Sequence, residues 1–254
     1  MALALLSNDD GIGSFYLRTL AEALMEHFEV VVAAPKREQS WIGRAMSRRT
    51  PVTVEKCDAL PCPAWEIDGT PTDCVNIAMD HLLGRKPDIV VSGINIGYNA
   101  SIPFILCSGT LGAAIEGSMW GCRALAVSQS IPHEHFHRIH SNNSSVPDDV
   151  LPKLRRVATH AASFASKILA DDEKPHVVHN LNYPVDISPE TPVRETIPAA
   201  LNPMGLFEMG ADGICRFRYQ SGEVLPSALP CDRDCIEDGE ISHTLLDFNR
   251  IGVL

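Results

Sequence analysis

The chain has 254 residues, 45% of them hydrophobic and 21% charged, with a formal net charge of −11 at pH 7. That length and composition suit one large or two small globular domains with a sizeable core. The acidic balance without a basic stripe excludes a protein that coats a nucleic-acid polymer, and no apolar run reaches the ~18 residues of a membrane span.

Ala2–Leu6 reads as a short buried strand that stops at Ser7-Asn8-Asp9-Asp10-Gly11. Leu17–Phe28 then places Leu17, Leu20, Ala21 and Leu24 at helical spacing. Glu29–Pro35 (EVVVAAP) is a second buried strand, and after the loop KREQSWIGRAMSRRT, Val52–Glu55 is a third. Gly69–Gly84 carries the signals of a complete helix, with Thr70 as N-cap, Pro71 at the first position and Gly84 after the last turn. Pro87–Gly93 (PDIVVSG) is a fourth buried strand, GTLGAAIEGSMWG a small-residue helix, and RALAVSQS a fifth strand. Continuous apolar strands alternating with helices predict an α/β fold around a parallel sheet.

From about Ile131 the character changes. IPHEHFHRIHSNNSSVPDD reads as a polar, His-rich loop, Val150–Leu169 as a long helix and HVVHNLNYP as a further strand. After Pro184 the chain is Pro-rich, with alternation around ICRFRYQ. Residues 185–254 are expected to form hairpins and loops, an arm across an oligomer interface, within a single domain covering residues 1–254. The N-terminal apolar run has no basic segment before it and meets acid at once, which argues against a signal peptide. Eight irregularly spaced cysteines read as reduced thiols, so the expected location is cytoplasmic. Cys231 and Cys235 lack the second pair that a metal site of that kind needs.

Asp9 and Asp10 place two like charges at the end of a buried strand, an arrangement that wants a cation or donors nearby. In open parallel sheets ligands bind beyond the carboxyl ends of the strands. A strand order with the first, second and fourth strands adjacent brings Asp9, Asp10, Ser40 and Asn95 to one rim. Two carboxylates, a hydroxyl and an amide are hard oxygen ligands, suited to Mg²⁺ or Mn²⁺ rather than zinc. Equally, the pair can close an Asx-type turn beside Gly11. Ser108, Gly109 and Thr110 precede a Gly/Ala-rich helix, so backbone N–H groups and two hydroxyls facing outward would make a phosphate seat; ordinary N-capping accounts for the same residues. Asp73, in the first turn of its helix, reads as a capping acid. Metal and phosphate seat on one rim point to phosphate-ester chemistry.

SNDDGI, VAAPKREQSWIG, IDGTPTDCV, PDIVVSGINIGYN and SGTLGAAIEG resemble, in order, the motifs of the SurE family (survival protein E), metal-dependent 5′-nucleotidases also described as acid phosphatases. HNLNYP and DGEISHTLLDF are weaker echoes. The resemblance implies a Rossmann-like, doubly wound, mostly parallel sheet with swapped C-terminal arms in a homodimer or homotetramer. It implies one divalent ion per subunit, Mg²⁺ or Mn²⁺, on Asp9, Asp10, Ser40 and Asn95. Ser108, Gly109 and Thr110 would contact phosphate, with Asn99 lining the pocket of a nucleoside monophosphate substrate. Asp9 and Asp10 are the catalytic candidates, Asp9 to orient the attacking water or take its proton. The sequence departs from the family in ASIPFILC, which ends in Cys107 where an aromatic residue is common. It departs again in GSFYLR after DDGI, where small residues and a proline are usual.

Other readings fit less of the sequence. A nicotinamide fingerprint needs a small residue where Tyr16 stands, and the second strand runs into Lys36 rather than an acid. A zinc-dependent deacetylase would draw imidazoles from His133–His140, yet no His precedes Asp9. A non-enzymatic nucleotide-binding module would keep the phosphate seat without needing four metal ligands.

Overall fold

The computed structural model describes residues 1–132, 134–136, 139, 145–171, 174–202 and 204–252. In chain order its elements begin with β1 (Leu3–Ser7), α1 (Phe15–Leu24), β2 (Glu29–Pro35), β3 (Val54–Lys56), β4 (Ala64–Ile67), α2 (Pro71–Ile77) and β5 (Ile89–Ile96). Then come α3 (Ile102–Cys107), α4 (Gly109–Met119), β6 (Arg123–Gln129), α5 (Leu151–Ala170) and β7 (Val177–Tyr183). The tail supplies β8 (Val193–Thr196), β9 (Phe207–Met209), β10 (Cys215–Phe217), α6 (Asp232–Glu237) and β11 (Ile241–Asp247).

The main sheet runs β3-β4-β2-β1-β5-β6-β7-β11-β8, parallel from β4 through β7. Every residue of β1 is buried. Ala4 and Leu6 face one side, where Leu17 and Leu20 of α1 and Leu154 and Ala161 of α5 meet them. Leu3 and Leu5 face the other, against Val75 of α2 and Ala113 of α4. A strand's two-residue period sends alternate apolar residues to opposite faces, so helices must cover both. The chain builds outward from β1 to β2 and β4, then returns to β5 on the far side. The order therefore reverses between β1 and β5, the place where doubly wound sheets open a crevice. Among the described residues no helix is long and apolar enough to cross a membrane.

Several elements differ from the sequence expectation. α1 stops at Leu24 rather than Phe28, because Glu29 must already pair with Ala2 (2.9 Å) to start β2 beside β1. The helix expected over Gly69–Gly84 is α2 followed by a π turn at Ala78–Leu82. Its start is as read: Thr70 and Asp73 form a reciprocal capping box, and Asp73 Oδ1 also accepts from Ser47 N at 3.0 Å. Residues 134–136 and 139 are helical and Ile139 is buried, where a loop was expected. His133, His137 and His140 of that segment lie outside the described residues.

The segment after residue 185 is not all arm. β11 enters the main sheet between β7 and β8, and Thr196 bonds Ser242 and Thr244 at 2.8 Å each. The β9–β10 hairpin pairs with itself outside that sheet. All eight cysteines are free thiols.

Candidate active site

The turn after β1 is shaped by Asn8, whose amide donates to Gly11 O at 3.0 Å, while Ile12 N reaches back to Pro35 O at 2.8 Å. That work leaves the two aspartates aimed at other elements. Asp9 and Asp10 are only 3% and 4% exposed, so their charge is held away from water. Asp9 Oδ1 accepts from Thr110 Oγ1 at 2.6 Å, and Asp9 O accepts from Gln39 N at 2.7 Å. Asp10 Oδ2 accepts from Ile96 N at 3.3 Å. The β1 turn, the loop after β2, the end of β5 and the start of α4 therefore converge on one point.

Electrostatics mark the same point. Burial pushes the Asp9 carboxyl up, against the pull of Thr110's donors. Asp10 is driven well above the usual carboxylate range, first by burial and then by the charge of Asp9. Glu38, from the neighbouring loop, adds to both.

Ser40 follows Gln39 in the loop fastened to Asp9 and is half-buried. Asn95 sits one residue before Ile96, just past a register shift in the β5–β6 pairing between Ser92 and Asn95. Gly93, with φ +139°, has no room for a side chain there, because a Cβ would stand 2.3 Å from Val127 O. The Asn95 amide nitrogen donates to Gly97 O at 2.9 Å, so its oxygen is the atom that could face a cation. All four predicted metal ligands thus belong to segments that meet, and their donors are hard oxygens that fit a cation such as Mg²⁺ or Mn²⁺. Among the described residues no three His, Cys, Asp or Glu side chains are grouped to hold a metal.

The expected phosphate seat needs correction in its hydroxyls. Ser108 Oγ accepts from Leu111 N at 3.1 Å and so caps α4. Thr110 Oγ1 is spent on Asp9. A helix start needs an acceptor for its unpaired N–H groups, and a buried carboxylate needs a donor, so both hydroxyls turn inward. What faces the acid turn is the positive end of α4 itself.

Asn99 is buried and its amide donates to Ser128 Oγ at 2.9 Å. Its backbone N–H donates to Asn182 Oδ1 at 2.7 Å, and its carbonyl accepts from Asn180 (2.9 Å) and Asn182 (3.2 Å). The sequence reading left Asn180 and Asn182 unassigned; two amides at i, i+2 inside a wholly buried strand were the available signal. Aromatic rings border the same loops. Trp41, after Ser40, meets Phe104 of α3 at 5.5 Å between centroids, and Tyr98, before Asn99, lies 6.4 Å from Phe104. Phe217 and Tyr219 from the tail close over Trp41 at 4.8 and 6.3 Å.

The Survival protein SurE family model matches residues 4–201, more than three quarters of the chain. The chain belongs to the SurE family. It is 35% identical to the 5′-nucleotidase SurE of Solidesulfovibrio magneticus over 254 residues, covering 96% of this chain and 91% of that protein. It is 39% identical to the 5′-nucleotidase SurE of Methanococcus maripaludis strain C5 over 195 residues, covering 76% and 70%. The crystal structure of SurE from Aquifex aeolicus superposes with a TM-score of 0.74 at 26% identity, over 96% of this chain and 93% of that one. The SurE fold, an α/β sheet with helices on both faces, is therefore this chain's fold.

Proposed function

We propose that the chain is a 5′-nucleotidase, a phosphomonoesterase that uses a divalent cation to release phosphate from nucleoside 5′-monophosphates. The observation that carries this is the buried Asp9–Asp10 pair with the first turn of α4 fastened to it by Thr110. The relatives named 5′-nucleotidase support the reaction class. One Mg²⁺ or Mn²⁺ per subunit would sit among Asp9, Asp10, Ser40 and Asn95. When bound, such an ion polarises the phosphoryl group and acidifies water.

The chain's own residues account for the rest. Asp9 orients the attacking water or takes its proton. The start of α4, at Ser108, Gly109 and Thr110, offsets charge growing on the equatorial phosphoryl oxygens. Asn99 fixes the substrate at the pocket wall. Trp41, next to Ser40 and 40% exposed, offers a ring on which a nucleobase stacks. The exposed apolar hairpin β9–β10 fits a homodimer or homotetramer, and eight reduced thiols fit the cytoplasm.

The test is phosphate release by the purified protein from nucleoside monophosphates and from non-nucleotide esters, with Mg²⁺, Mn²⁺ or chelator. Release from nucleotides that stops on chelation is expected. Turnover that survives full chelation, or that is confined to non-nucleotide esters, rejects the reading.

A further inference from the structure

The loop carrying Asn99 is gripped a second time, by the tail. Asp232 is wholly buried at the first position of α6, and its carboxylate accepts from three backbone groups: Ser101 N at 2.7 Å, Ala199 N at 2.9 Å and Arg233 N at 2.8 Å. Ile102 N completes the link by donating to Ala199 O at 3.0 Å. Next to Asp232, the Arg233 guanidinium lies 4.6 Å over the Tyr98 ring and donates to Ser221 O at 3.0 Å. Tyr98 and Tyr219 share a hydroxyl hydrogen bond of 2.8 Å. The tail thus holds both flanks of Asn99, at Tyr98 and at Ser101. Ser101 needs the support, since its φ of +79° is an uncommon backbone state for a residue with a side chain. Burial pushes the Asp232 carboxyl up while the three N–H donors pull it down.

We propose that Asp232 is a positioning residue for substrate: it sets where Asn99 stands by clamping Ser101, two residues further on, to the tail. The proposal rests on Asn99 lining the nucleotide pocket, as argued above. Asp232 acts through the backbone of the Asn99 loop and leaves the acid turn and α4 to their own contacts. A nucleotide would therefore feel its loss in binding, and a divalent cation would not.

Asp232→Asn keeps the shape but turns one acceptor oxygen into an amide nitrogen that faces a backbone N–H. KM for a nucleoside monophosphate should rise about tenfold, the scale of one lost hydrogen bond to a charged group. Its kcat and its affinity for Mn²⁺, measured without nucleotide, should stay within a factor of about three, and Arg233→Leu should raise KM in the same direction by less. Amide exchange at residues 97–102 should speed up while exchange in β1 and α4 does not change. A lower melting temperature with KM and loop exchange unchanged would overturn the proposal, because Asp232 would then serve only the fold. If Asp232→Asn does not fold, Arg233→Leu decides by the same KM and exchange readouts. If the wild-type protein releases no phosphate from any nucleotide, the nucleotidase reading fails, and loop exchange in the variants still decides whether Asp232 holds the Asn99 loop.

Discussion

Thr110 Oγ1 donates to Asp9 Oδ1 across 2.6 Å, so the first turn of α4 is fastened directly to the acid turn after β1. Gly109 makes the approach possible. A Cβ there would stand 2.8 Å from Asp9 Cβ and 3.0 Å from both Asp9 Oδ2 and Gln39 O. Gly109→Ala should push α4 off the aspartate, with about 1–3 kcal/mol of lost stability from overpacking and a fall in both cation affinity and turnover. Gly117→Ala is the matched control, because the three atoms nearest its Cβ all belong to the Val90 side chain, from 2.5 Å, on the sheet side of the same helix. It should lose stability alone. Titration calorimetry with Mn²⁺ on both variants checks this; equal cation affinities would contradict it.

The raised carboxyl of Asp10 has a pH signature in the metal-free protein. Its folded pKa lies above the unfolded value of 3.8 because of burial and Asp9. The folded state therefore binds the proton more tightly. The associated stability is complete below the unfolded pKa and is lost as pH rises through the folded one. Asp10→Asn removes that loss. Without metal it should melt higher than wild type near neutral pH, and the gain should vanish toward pH 4. Saturating Mn²⁺ should reverse the order near neutrality, since binding at 100 times Kd stabilises the wild type by about 2.7 kcal/mol. Scanning calorimetry across pH, with and without metal, reads both effects; a variant gain that grows toward low pH would contradict the assignment.

The β9–β10 hairpin exposes Phe207 by 67% and Met209 by 70%, more apolar surface than a lone surface hairpin needs. The proposed homo-oligomer would bury this apolar surface. Replacing Phe207, Met209 and Ile214 by Ser should shift the proposed oligomer to monomer in light scattering. Neither the main sheet nor the acid turn should change, because the hairpin stands outside that sheet. An oligomer of unchanged mass would show that another surface holds the subunits together.

β1, β2 and β5 were legible because buried parallel strands must be apolar on both faces, and their sequences are nearly unbroken apolar runs. β4 was not, since only the two ends of Ala64–Ile67 are buried. β11 hides its membership of the sheet in Ser242 and Thr244, which are buried through hydroxyl bonds to Thr196 rather than by hydrophobicity. At the site, Asp9 and Asp10 could be read because a like-charge pair ending an apolar strand is a local signal. The orientation of Ser108 and Thr110 could not, because it depends on which buried group each hydroxyl must satisfy. Asp232 left no local trace at all: its partner Ser101 is 131 residues away.

The central claim is that Asp9 and Asp10 hold a catalytic divalent cation. Its most direct test is cation affinity and turnover measured together on Asp9→Asn and Asp10→Asn. Each change keeps the side-chain shape and removes one of two charges facing the ion. Both quantities should fall together, turnover by at least about 10²-fold, the scale of a lost preorganised electrostatic contact. Asp73→Asn is the control, since Asp73 is bonded within its capping box and to Ser47. It should lose about 0.3–1 kcal/mol of stability and keep its cation affinity. If Asp9→Asn and Asp10→Asn bind the cation as tightly as Asp73→Asn and differ from wild type only in melting temperature, the two aspartates hold no metal and the account is wrong.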